Sequence, residues 1–206
     1  MSAPLTFDAT TVTPTLTFIP APGAPWRTVD EAPATSALTL TRFTAITPSR
    51  LSKAFAIKVG NLIKQPGGNL IDGRADRIET DLAGFAELLA TLGPQHALGY
   101  GTAKEASARV VTRDQYDKAL ARCKTEDEAI VSRTREHFAW PATPGVLMID
   151  YDPPSTGDPL TREQLLEALA CASPALATAA AIWRPSASSC IYTSAGQELR
   201  GIAGQR

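Results

Sequence analysis

Histidine and cysteine are scarce in this chain. Of 206 residues, two are histidine (His96 and His137) and three are cysteine (Cys123, Cys171 and Cys190). So few cannot assemble a Ser-His-Asp triad or a histidine-rich metal cluster, and the cysteines lack the paired spacing of a zinc site. An odd, scattered set of thiols reads as reduced, which places the protein in the cytoplasm. The sequence shows no signal peptide and no apolar run of membrane-spanning length, so no membrane partner is expected. A Gly-rich strand-turn-helix unit is missing too, which argues against a transferase that grips a nucleotide-sugar through such a turn. Charge of one sign is also lacking. Twenty basic residues face 21 acidic ones, for a net charge of −1. A global electrostatic case for nucleic acid is therefore absent, and only local basic patches could serve.

What is present suits a globular protein, with 44 % hydrophobic and 20 % charged residues. Residues 1–36 are rich in Pro, Thr and Ala and read as a flexible leader. From residue 37 to 206 the pattern alternates strands and helices, giving an expected α+β fold with a mixed sheet packed by helices. Ala37 to Phe43 alternates apolar and polar residues and predicts a strand, and Ala54 to Val59 a second. Lys53, Lys58, Lys64, Arg74 and Arg77 make the next region locally basic: a solvated surface or a contact for backbone phosphates. Thr80 to Leu92 predicts a helix with Leu82, Phe85, Leu89 and Leu92 on one face, stopped by Gly93-Pro94. Ala97 to Gly101 and Arg109 to Thr112 read as strands, and Arg113 to Lys124 as a helix. Thr161 with Gln164 three residues on is a capping-box start for a Leu-rich helix, and Ser173-Pro174 opens a shorter one. Ala181 to Trp183 and Cys190 to Tyr192 read as further strands.

The most informative stretch is Val146-Leu147-Met148-Ile149-Asp150-Tyr151-Asp152, bounded by Pro-Gly before and Pro-Pro after. A short apolar run between such breakers predicts a strand buried on both faces, central in the sheet. Alternation along a strand turns Asp150 and Asp152 to one side, about 6.5 to 7 Å apart. Two carboxylates so placed can share divalent cations. The same Asp-x-Asp before Pro-Pro also suits a solvated turn. Arg133 and Arg135, just upstream, could counter these acids or bind a triphosphate, or be ordinary surface arginines. The closing Glu198 to Arg206 segment holds two glycines and two arginines, which suits a backbone that approaches phosphates.

The order of elements from Ile130 onward carries a resemblance. Ile-Val-Ser-Arg-Thr-Arg-Glu-His-Phe-Ala-Trp leads to the apolar run with Asp150-Tyr151-Asp152-Pro153. A Leu-rich helix follows, then Trp183-Arg184-Pro185-Ser186-Ala187-Ser188-Ser189 and Gly-Gln-Glu-Leu-Arg-Gly-Ile-Ala-Gly-Gln-Arg. This resembles the front part of the primase-polymerases of phages, plasmids and integrated elements, in the archaeo-eukaryotic primase superfamily. The resemblance covers most of the chain after residue 37. It implies metal-dependent nucleotidyl transfer on a single-stranded DNA template, with Asp150 and Asp152 as catalytic ligands of Mg²⁺ or Mn²⁺. Nucleoside triphosphates are the implied substrates, with a replicative helicase as a further partner. Arg133, Arg135, Ser188 and Arg206 are the implied nucleotide contacts. The family's second motif, Ser-x-His or a basic equivalent, has no histidine here. Its nearest matches are Ser186, Ser188 and Ser189, or Gly204-Gln205-Arg206. A third-motif aspartate does not follow before Arg206, so a truncated domain is expected. The alternative expectation is an inactive remnant, or a module that binds nucleic acid or a replication partner through the basic region from Lys53 to Arg77.

Overall fold

A computed structural model of the chain describes residues 37–122, 129–141, 145–186, 188–193, 196–202 and 204–206. The expected leader, residues 1–36, and the charged turn Lys124 to Glu128 lie outside the described residues, as does Cys123. In chain order the elements are β1 (Leu38–Thr47), β2 (Ala54–Lys58), β3 (Asn61–Gln65), β4 (Asp72–Thr80), α1 (Leu82–Thr91), β5 (His96–Gly99), β6 (Thr102–Ala103), β7 (Ser107–Val111), α2 (Arg113–Ala121), β8 (Ile130–Ser132), β9 (Phe138–Ala139), α3 (Arg162–Ala172), α4 (Pro174–Thr178), β10 (Ile191–Tyr192) and β11 (Glu198–Arg200). The fold is α+β. Its main sheet has the strand order β5-β1-β4-β7-β8, antiparallel except for the parallel pair β7 and β8. Among the described residues, no helix is long and apolar enough to cross a membrane.

The two faces of the sheet follow from alternation along the strands. Phe43 and Ala45 of β1 pack with Leu70, Ala75, Ala108, Val110 and Val131 on one face, where Leu51 and Phe138 close over them. Leu38 and Leu40 point to the other face and meet Phe85 of α1, with Leu82, Leu88, Leu89 and Ile78 around it. Asp81 caps α1 by accepting a hydrogen bond from the Gly84 amide at 2.8 Å. The rest of that second face carries charge instead of apolar bulk. Arg42 and Arg74 both engage Asp76, and Arg109 donates to both oxygens of Asp72 at 3.0 and 2.9 Å. Burial pushes the Asp76 carboxyl up, but hydrogen bonds from Ser107, Arg74 and Arg42 outweigh it, and the net shift is downward.

Several sequence expectations are met. Thr161 and Gln164 form a reciprocal capping box at the start of α3, and α4 has Pro174 in its first turn. Thr112 and Gln115 form a second capping box on α2. Others are corrected. The central strand is not the one after Pro144. That position belongs to β4, flanked by β1 and β7, where the sequence pattern predicts no strand and only local basic charge at Arg74 and Arg77. The run Val146 to Ile149 forms no strand, and Leu147 is 75 % exposed. Among the described residues the backbone between 145 and 150 has no ladder partner, and the main-sheet positions are held by other strands. Val146 alone leans on the Leu38, Leu40 and Phe85 cluster. Ala181 to Trp183 likewise lies outside any strand, and pairing begins at Arg184.

Candidate functional site

Strand-type pairing around the two acids starts at Tyr151. Tyr151 and Gln205 exchange backbone hydrogen bonds at 2.8 and 2.9 Å. On the other side of the same segment, Arg184 and Arg206 exchange theirs at 2.8 and 2.9 Å, and the Ser186 amide donates to the Gly204 carbonyl at 2.8 Å. Residues 204–206 therefore run between the Asp-x-Asp segment and residues 184–186 in a small three-stranded ladder. It continues the hairpin of β10 and β11, in which Ile191 opposes Arg200.

The alternation of this ladder sorts its side chains by chemistry. One face carries Gln205, Tyr151 and Trp183 and packs on the entrance to α3. Gln205 is fully buried; its Nε2 donates to the Leu160 carbonyl at 2.5 Å, and its Oε1 accepts from Trp183 Nε1 at 2.8 Å. The Tyr151 hydroxyl accepts from the Leu160 amide at 3.1 Å. The opposite face carries a row of three charges: Asp150, Arg206 and Arg184. The Arg206 guanidinium donates to both Asp150 oxygens, at 2.9 and 3.2 Å. Two residues along, the same face carries Asp152, Gly204 and Ser186. Gly204 is buried and closely covered: a Cβ at this position would lie 3.0 Å from Ser186 Oγ and 3.1 Å from the Tyr151 carbonyl oxygen.

Arg184 is half-buried beside Arg206, and its guanidinium has no hydrogen-bond or ion-pair partner among the described residues. Burial holds its pKa below the usual arginine value, and the neighbouring Arg206 charge adds to that. Tyr100, following β5, belongs to the same neighbourhood. Burial pushes its phenol up, partly offset by Arg206 and Arg184. A half-buried guanidinium repelled by a second one has N–H groups ready to donate to an anion.

The residues singled out from the sequence divide among three places. Asp150, Asp152 and Arg206 come together on the ladder, with Asp152 exposed and unpartnered among the described residues. Ser188 lies at the ladder's rim, where Ser186 Oγ shares hydrogen bonds with Ser188 Oγ and Ser189 Oγ, at 3.2 and 3.1 Å. Ser189 Oγ donates to the Gly204 carbonyl at 2.8 Å. These hydroxyls shape the turn against Gly204. Arg133 and Arg135 do not join them. Arg133 donates to the Leu70 carbonyl at 3.1 Å and lines a shallow hollow of about 340 Å³ with Val111, Thr112, Arg113, Ser132 and Thr134. That hollow lies at the Asp72 end of the sheet. The ladder is tied, through Val146 and Ile182, to the Leu38 end of β1. The length of β1 between those ends is about 30 Å. Sequence reasoning missed Arg184 and Tyr100. The Trp-Arg-Pro-Ser stretch carried the signal for Arg184, but only the ladder shows that it sits opposite Arg206.

Asp150 and Asp152 are exposed carboxylates two residues apart on one edge of the ladder, Asp150 opposite Arg206 and Asp152 opposite Gly204. Among the described residues no group of three or more His, Cys, Asp or Glu side chains converges here or elsewhere. Such a pair suits a hard divalent cation that keeps waters and takes its remaining oxygens from substrate phosphates, rather than a resident ion in a closed cage. Any cation must also compete with Arg206 for Asp150. No protein-family model, curated protein or solved structure matches the chain.

Proposed function

We propose that the charged face of this ladder is the metal- and triphosphate-binding side of a primase-polymerase, acting in template-directed nucleotidyl transfer. The observation that supports this best is the single row Asp150, Arg206 and Arg184, with Asp152 beside it. Carboxylates for Mg²⁺ or Mn²⁺ and guanidinia for phosphates stand next to one another, as a metal-triphosphate complex requires. In this reading Asp150 and Asp152 hold the cation that arrives with a nucleoside triphosphate. Arg206 and Arg184 take the phosphates. A two-metal centre needs further oxygen donors, so nucleotide binding is expected of these residues before polymer synthesis.

The test is calorimetric titration with a nucleoside triphosphate, with and without Mn²⁺. The parent protein should bind in a Mn²⁺-dependent way, and Asp150→Asn should lose that dependence. Equal binding by parent and variant refutes the reading. A second reading, a binding module without catalysis, draws on the Arg206–Asp150 pair, which already neutralises one of the two acids. Salt-dependent DNA binding, indifferent to Mn²⁺ and to Asp150→Asn, would favour that module.

A further inference from the structure

The ribbon of β2 and β3 pairs only with itself among the described residues: Ala54 opposes Gln65, and Lys58 opposes Asn61. Its two-residue turn, Val59-Gly60, has positive φ at both positions, 50° and 74°. A turn of this kind ordinarily takes Asn-Gly, and a β-branched residue there is strained. Val59 is nevertheless 92 % exposed, with Ile57 and Ile63 exposed behind it. Neither turn chemistry nor burial accounts for a valine at this tip.

Charge sets the ribbon apart as well. The sequence has no acidic residue between Glu31 and Asp72. The basic region read from the sequence divides in two. Arg74 and Arg77 are engaged by Asp76 and Glu79. Lys53, Lys58 and Lys64 are exposed and have no ion-pair or hydrogen-bond partner among the described residues. Register places Lys58 and Lys64 on opposite faces of the ribbon. The base of the ribbon is fixed: Phe55 is buried, with the Arg200 guanidinium of β11 at 5.9 Å from its ring centre. The ribbon thus stands against the same hairpin that leads to Arg206.

We infer that the β2–β3 ribbon is a grip for a nucleic-acid duplex, entering a groove with Val59 at its tip while its lysines reach the phosphates on both sides. A two-stranded ribbon fits the major groove, which is about 12 Å wide, and apolar side chains there meet thymine methyl groups. Single strands are held mainly by stacking on aromatic side chains, and the ribbon's one aromatic residue, Phe55, is buried. The choice of nucleic acid over other polyanions rests on the nucleotidyl-transfer reading of the neighbouring ladder. The duplex would then be template paired with the growing strand.

The experiment measures fluorescence anisotropy of the full chain with a duplex of about 20 base pairs, two helical turns, and with one of its single strands, across a salt series. Three phosphate contacts predict a slope of log K against log salt of about −2.7, and Lys58→Ala/Lys64→Ala should lower its magnitude by about 1.8. The double variant should bind duplex at least tenfold more weakly and keep its Mn²⁺-dependent nucleotide binding. Val59→Asn supplies the favoured turn residue, so its urea midpoint should not fall, yet its duplex affinity should. Unchanged duplex binding in the lysine variant overturns the inference. So does tighter binding of the single strand, or binding transferred to phosphatidylserine vesicles. Asp150→Asn separates the two readings: if nucleotide binding survives that change while the lysine variant loses duplex, the ladder assignment falls and the ribbon assignment stands.

Discussion

Gln205→Leu is the substitution that asks most of the ladder. Gln205 is fully buried between the Asp-x-Asp segment and the Arg184 strand, and its amide satisfies both Trp183 Nε1 and the Leu160 carbonyl. Leucine keeps the volume and removes both hydrogen bonds. A buried polar group left unsatisfied costs about 1–3 kcal/mol. Two are orphaned here, but Trp183 and Leu160 are only half-buried, so water recovers part of the loss. The added apolar contact offsets about 1 kcal/mol more. The expected net destabilisation is about 1.5–3 kcal/mol, which at a urea slope of about 2 kcal/mol/M lowers the midpoint by roughly 1 M. In a Trp26→Phe background Trp183 reports directly, since Trp140 is largely exposed. Tryptophan fluorescence should shift most, because the ladder opens before the main sheet does. Far-UV circular dichroism should follow at higher urea. Coincident, unshifted transitions by both probes would refute the claim that Gln205 pins the ladder. Loss of Mn²⁺-dependent nucleotide binding in the same variant is the functional counterpart.

Two further expectations concern the main sheet. Thr41 is fully buried; its hydroxyl donates to the Gly101 carbonyl at 2.8 Å and accepts from the Ala103 amide at 2.9 Å. Thr41→Val should cost about 2–3 kcal/mol in urea unfolding while Thr41→Ser costs less than half of that; equal losses would show that packing rather than hydrogen bonding is at stake. Asp72 is held below the usual carboxylate range, chiefly by hydrogen bonds from Arg109, with burial opposing. Its contribution is present above the unfolded-state value of about 3.9 and fades as pH falls through the depressed folded value. Asp72→Asn should therefore destabilise by about 1 kcal/mol at neutral pH, Arg109 being partly solvated, and the gap should narrow in thermal melts as pH falls below the unfolded-state value; a gap independent of pH would refute it.

The sequence by itself determined what depends on neighbours along the chain. The α3 start was legible because a capping box needs only Thr161 and a glutamine three residues on. The α1 face was legible from leucine and phenylalanine spacing, and β1 from strict alternation. The pairing of Asp150 with Asp152 as a same-side set followed from strand alternation and fits the ladder formed around Tyr151. The tertiary structure decided what depends on partners far along the chain. Strand β4 hid because Gly73 and Ala75 do its burying with almost no side chain, while Arg74, Asp76 and Arg77 gave it a polar signature. The apolar run before Asp150 misled for the opposite reason. Hydrophobicity states a preference for burial, but a strand forms only where another backbone offers its hydrogen bonds. The site divided in the same way. Arg206 reached Asp150 across 56 residues, and Arg184 joined them through register alone. Arg133, much nearer in sequence, was carried to the far end of β1. Local chemistry chose the side chains, and the long-range pairing of residues 204–206 chose which of them meet.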